Sequence, residues 1–94
     1  MIGVVAKIKV KAGKGAAFEA VAKELVEAVN ANEPDCTLYA LHKAEEEDLY
    51  VFMERYADQA ALDNHRRTDH FRSIGKRMGE FMDGPPDVMR MPEV

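Results

Sequence analysis

Read for periodicity, the chain predicts an α+β fold: one antiparallel sheet packed with helices, ordered β-α-β-β-α-β, with the second helix broken in two. Three observations predict it. Residues 2–10 alternate with the period of two that a strand requires. Residues 16–31 carry an apolar stripe at helical spacing. Two runs rich in β-branched and aromatic residues, 36–43 and 49–56, flank a short acidic link, which is the pattern of a hairpin.

The first strand, residues 2–10, sends Ile2, Val4, Ala6, Ile8 and Val10 to one side and Gly3, Val5, Lys7 and Lys9 to the other. Lys11-Ala12-Gly13-Lys14-Gly15 follows as a turn. The first helix, residues 16–31, lines up Phe18, Val21, Ala22, Leu25 and Val29, and Pro34 cannot continue it. Glu19 stands four residues before Lys23, the order that favours a surface ion pair. In the hairpin, pairing Ala44 with Leu49 places Tyr39 opposite Glu54, Leu41 opposite Phe52 and Thr37 opposite Tyr56. Asp58 caps a short helix ending near Arg66. Thr68 caps another over residues 69–82, whose stripe is Phe71, Ile74 or Gly75, Met78, and Phe81 or Met82. Gly84-Pro85-Pro86 ends it, and residues 88–91 form a last short strand. The order is the ferredoxin-like split βαβ plan, and 94 residues make it a single domain, 1–94.

The hairpin is apolar on both faces. Its second surface carries Leu38, Ala40 and His42 beside Val51, Met53 and Arg55. A small antiparallel sheet usually leaves one face wet, so helices cover one side and a second copy of the chain is expected on the other.

Composition excludes several function classes. The net charge of −4 argues against nucleic acid as partner. One cysteine, Cys36, leaves no internal disulfide and fits a reducing compartment. No apolar run is long enough to span a bilayer, and lysines interrupt the N-terminal strand where a signal peptide would be apolar. A soluble cytoplasmic protein without membrane contact is the expectation. His65, His70 and Asp69 lack zinc-ligand spacing, so no metal is expected. Gly13-Lys14-Gly15 is too short for a phosphate loop.

The chemistry concentrates between Tyr50 and Phe71. His65 and His70 are candidate bases, because histidine titrates near neutral pH. On one continuous helix they would stand about 140° apart, so a break near Thr68 is needed to turn both toward one place. Glu54 and Tyr39, facing each other across the hairpin, are candidates to orient a histidine or hold a substrate hydroxyl; a buried Glu54 requires such partners. Phe18, Leu25, Tyr56, Phe71 and Met78 are expected to line an apolar pocket, with Arg66 or Arg72 holding an anion. Each feature has a plainer reading. His65 can cap the short helix, His70 can be a packing residue, and Tyr39–Glu54 can be a structural bond.

With these residues in place, the chain resembles the antibiotic biosynthesis monooxygenase family of dimeric α/β barrels. Glu33-Pro34-Asp35-Cys36 leads into Tyr39, and Glu54 ends the third strand. Asp58-Gln59-Ala60-Ala61-Leu62 is followed three residues later by His65; His70-Phe71 opens the next helix, and Gly84-Pro85-Pro86 precedes the last strand. The resemblance implies a homodimer whose sheets pack together. It implies oxidation of a quinol-like or polycyclic aromatic molecule with no cofactor, with His65, His70, Glu54 and Tyr39 as catalytic residues. Asp35 and Tyr56 stand where the family often has glycine and tryptophan. The chain has no tryptophan, and its first strand has no asparagine, which speaks against the haem degradation of some relatives. Two further functions fit the same residues: isomerisation or epimerisation of a small phosphorylated carbonyl compound, and non-catalytic binding of a small apolar ligand by a dimer.

Overall fold

The computed structural model describes residues 1–94. Its elements are β1 (Ile2–Lys9), α1 (Gly15–Asn32), β2 (Cys36–Lys43), β3 (Leu49–Tyr56), α2 (Gln59–Arg67), α3 (Asp69–Gly79) and β4 (Asp87–Pro92). The four strands form one antiparallel sheet in the order β2-β3-β1-β4. This is the ferredoxin-like arrangement that the periodicity predicts, with the second helix divided at Thr68.

The alternation in β1 decides which side is inside. Ile2, Val4, Ala6 and Ile8 are buried with Tyr50, Phe52 and Tyr56 of β3, against Phe18, Val21, Ala22, Leu25 and Val29 of α1. The core therefore lies between one face of the sheet and the helices. No helix is long and apolar enough to cross a membrane.

Local side-chain chemistry sets the helix starts. The Asp58 carboxylate accepts from the Ala61 amide at 2.8 Å. The Thr68 hydroxyl accepts from the Phe71 amide and donates to the His65 carbonyl, closing α2 while opening α3. Glu19 forms no pair with Lys23; its carboxylate accepts from the Tyr50 hydroxyl at 2.5 Å and ties α1 to β3. Helix α3 stops at Gly79, earlier than residue 82, because the chain turns back: Met82 bridges to Val10, and the Asp83 amide donates to the Lys9 carbonyl.

The hairpin register matches the expectation at Tyr39–Glu54 and Leu41–Phe52, and the Ala44 amide donates to the Leu49 carbonyl. It departs at the open end. A bulge between Cys36 and Leu38 makes Cys36, and not Thr37, the partner of Tyr56.

The outer face has no helix over it. Ala40, Met53, Val5 and Met89 form a row across all four strands. Met53 is 43% exposed and Met89 52%; Leu38 and Met91 flank the row, also exposed. The second apolar surface of the hairpin is thus open to solvent in the single chain.

Candidate active site

Between the sheet and the helices lies a cavity of about 170 Å³. Val4, Ala6 and Ile8 of β1, Phe52 of β3, Leu25 of α1 and Met78 of α3 form its apolar interior. Arg66, Pro86 and Val88 are exposed residues of its lining and mark the mouth. Three buried residues supply polarity inside: Tyr39, Glu54 and His65.

His65 occupies the last turn of α2 and is only 2% exposed. Its ring sits among aromatic neighbours, with centroids 5.2 Å from Tyr39, 5.3 Å from Tyr56 and 4.7 Å from Phe71. Its Nδ1 lies 2.9 and 3.0 Å from the two oxygens of the Glu33 carboxylate. A carboxylate only accepts, so Nδ1 carries the proton and a neutral ring keeps its lone pair on Nε2. Burial holds the His65 pKa below the usual histidine range, the Glu33 carboxylate opposing that effect in part.

Every fully buried side-chain nitrogen or oxygen has a hydrogen-bond partner. His65 Nε2, the Tyr39 hydroxyl and Glu54 Oε2 have none in the protein, so these atoms are open, and all three belong to residues lining the cavity. A lone pair, a hydroxyl and a carboxyl oxygen are what an ionisable hydroxyl compound needs for recognition and deprotonation.

Glu54 alternates inward from β3, and so does Tyr56 two residues on. The Tyr56 hydroxyl donates to Glu54 Oε1 at 2.5 Å. Burial pushes the Glu54 pKa up to about 7, against the Tyr56 bond and the nearby Arg66 charge. Burial drives the Tyr39 and Tyr56 hydroxyls well above the ordinary tyrosine range, with Glu54 adding to it, so both stay protonated.

The structure brings together Tyr39, Glu54, His65, Leu25, Phe71 and Met78 around the cavity. His70 is not in its lining: the break at Thr68 turns His70 toward Glu33, where its Nε2 lies 2.5 Å from Oε2. Phe18 packs in the core with its ring 5.0 Å from Tyr50. Tyr56 stands behind the lining, reaching it through Glu54 and the His65 ring. Arg72 is exposed and outside the lining, whereas Arg66 is part of it. Glu54 bonds Tyr56 and not Tyr39, a contact signalled by their i, i+2 spacing on one strand face.

Sequence reasoning misses Glu33. It follows α1, its side chain is 4% exposed, and its carboxylate serves two histidines far along the chain. In the sequence Glu33 stands out only as part of the Glu33-Pro34-Asp35-Cys36 stretch, and an acidic residue before a proline at a helix end ordinarily reads as solvated.

A profile of the family described as antibiotic biosynthesis monooxygenase matches residues 1–77. YcnE of Bacillus subtilis strain 168, provisionally named a monooxygenase, is 34% identical over 90 residues, which cover 96% of this chain and 95% of that protein. A crystal structure of a provisionally assigned antibiotic biosynthesis monooxygenase from Caulobacter crescentus CB15 superposes with a TM-score of 0.94 at 41% identity, covering 99% of this chain and 89% of the other. A conserved protein from Methanosarcina mazei Go1 superposes with a TM-score of 0.91 at 30% identity, covering 99% and 92%.

Proposed function

The chain belongs to the antibiotic biosynthesis monooxygenase family, and we propose that its cavity takes up a quinol-like aromatic molecule and oxygenates it without a bound cofactor. The observation that carries this reading is His65 Nε2, free of protein partners on a buried ring that borders an apolar cavity. In the proposed reaction, Nε2 takes the proton of a substrate hydroxyl while the Tyr39 hydroxyl donates to the oxygen left behind. The electron-rich anion passes one electron to oxygen, and the radical pair combines into a hydroperoxide. Loss of water leaves a new carbonyl. In sum, a hydroquinone and O2 give a hydroxyquinone and water. Glu54, titrating near neutrality, is suited to supply the proton that leaves in the water.

The size of the cavity narrows the substrate. An apolar cavity of about 150 Å³ accommodates benzene, and this one is about 170 Å³. A single-ring quinol fits that volume, and a polycyclic substrate would have to project through the mouth beside Arg66. The test is oxygen uptake by metal-free, flavin-free protein with a panel of hydroquinones. Uptake above the non-enzymatic rate, abolished by His65→Ala, is expected. No uptake with any member would overturn the proposal.

Two acid–base groups on one cavity, Glu54 and His65, also suit proton transfer between carbons of a carbonyl compound. Solvent deuterium entering such a compound without oxygen uptake would move the assignment to an isomerase. Ligand retention unaffected by His65→Ala, with neither reaction, would leave a binding module.

We also propose that two copies pair through the outer face. The support is the open row Ala40, Met53, Val5 and Met89, flanked by Leu38 and Met91. Sedimentation of wild type as a dimer and of Met53→Asp as a monomer is the expected result.

A further inference from the structure

Glu33 is a buried carboxylate with no lysine or arginine partner; its ion-pair partners are His65 and His70 alone. Its place is fixed by the backbone. The Glu33 amide donates to the Val29 carbonyl at 2.9 Å, and its own carbonyl accepts from the Cys36 amide at 3.0 Å. A carboxylate is expensive to bury unless its oxygens are matched, and both are: Oε1 and Oε2 face His65 Nδ1, while Oε2 also faces His70 Nε2. The two rings differ in where they lead. His65 borders the cavity, whereas the His70 side chain is 19% exposed and reaches solvent.

We propose that Glu33 is the positioning residue for His65, and that His70, sharing the same carboxylate, sets how far Glu33 can support a charged His65. The geometry gives each residue a distinct part. Accepting from Nδ1, Glu33 fixes the tautomer that leaves Nε2 open, and it stabilises the ring once Nε2 has taken a proton. Protonated His70 spends that negative charge at the outer edge, and a second cation on one carboxylate is then disfavoured. His70 in this way links a partly exposed ring to a base that solvent scarcely touches. The other groups around His65 complete the field. Tyr39 and Tyr56 stay neutral, Cys36 beside Glu33 is a thiol pushed up to about 11 by burial, Glu54 titrates near 7, and Arg66 opposes a charge on the ring.

This inference bears on the base of the proposed reaction, but its test needs no turnover. Histidine-15N protein is followed by NMR from pH 5 to 9 as wild type, Glu33→Gln and His70→Gln. Wild-type His65 is expected with its proton on Nδ1. In Glu33→Gln the single tautomer is lost and the His65 midpoint falls; in His70→Gln the tautomer stays and the midpoint rises. A wild-type His65 protonated on Nε2 overturns the positioning role even if Glu33→Gln does not fold. An unchanged His65 midpoint in folded His70→Gln overturns the sharing. A protein that consumes no oxygen yet shows the expected spectra retains the inference and loses only the reaction.

Discussion

Replacing Glu54 with glutamine should make the protein more stable at pH 8 and leave it nearly unchanged at pH 4.5. The carboxyl titrates at about 7 in the folded chain against 4.5 as its ordinary value, burial being the main cause. A raised carboxyl pKa means that the folded state holds the proton more tightly than the unfolded chain. Stability from this group is full below about 4.5, declines as pH rises, and is gone above about 7. At 1.4 kcal/mol per pH unit the gap corresponds to roughly 3 kcal/mol. That is a large part of the 5–15 kcal/mol typical of a domain. Glutamine keeps an oxygen for the Tyr56 hydroxyl and carries no charge, so it removes the pH-dependent cost while sparing the 2.5 Å bond. Urea unfolding of both proteins at half-unit steps from pH 4.5 to 8 reads the difference directly. A wild type that loses roughly 3 kcal/mol relative to the variant over that window is the expected outcome. A difference independent of pH would refute the claim that burial governs Glu54.

Five further substitutions test the same geometry. Phe18→Ala should cost about 3–5 kcal/mol in urea, because the fully buried ring leaves a void, yet ligand affinity should hold since Phe18 does not border the cavity. Asp58→Ala should cost about 0.5–2 kcal/mol through loss of the α2 cap, and Thr68→Ala a similar amount at the α2–α3 break, read by thermal melting. Gly15→Ala should destabilise by about 1–3 kcal/mol, since a Cβ there would stand 2.9 Å from the Tyr50 hydroxyl of a buried ring bonded to Glu19. His65→Gln should lower oxygen uptake by at least about 100-fold, the usual scale for a positioned base, while leaving quinol binding measurable by NMR.

The fold was legible because its signals are local. Strand alternation in β1, the stripe on α1 and the caps Asp58 and Thr68 each operate within a few residues, and the structure keeps them all. The Tyr39–Glu54 register followed from the length of the acidic link, which pins a hairpin at its closed end. The bulge before Leu38 was not legible: Thr37 is an ordinary strand residue, and the extra backbone position leaves no mark in composition. In the candidate site, His65, Glu54 and Tyr39 stood out because ionisable residues interrupt apolar runs. Glu33 did not, since its contacts to His65 and His70 span 32 and 37 residues and exist only once α1 and the broken helix pack together. For the same reason the sequence put both histidines in one pocket, whereas the Thr68 break leaves one bordering the cavity and turns the other onto the Glu33 carboxylate outside its lining.

The measurement that bears most directly on the proposed reaction is 18O2 labelling of hydroquinone turnover by metal-free, flavin-free protein, with His65→Gln alongside. The account predicts a hydroxyquinone carrying one labelled oxygen, the second label in water, and no such product from the variant. Unlabelled quinone with hydrogen peroxide, or labelled product formed equally well by His65→Gln, would contradict it.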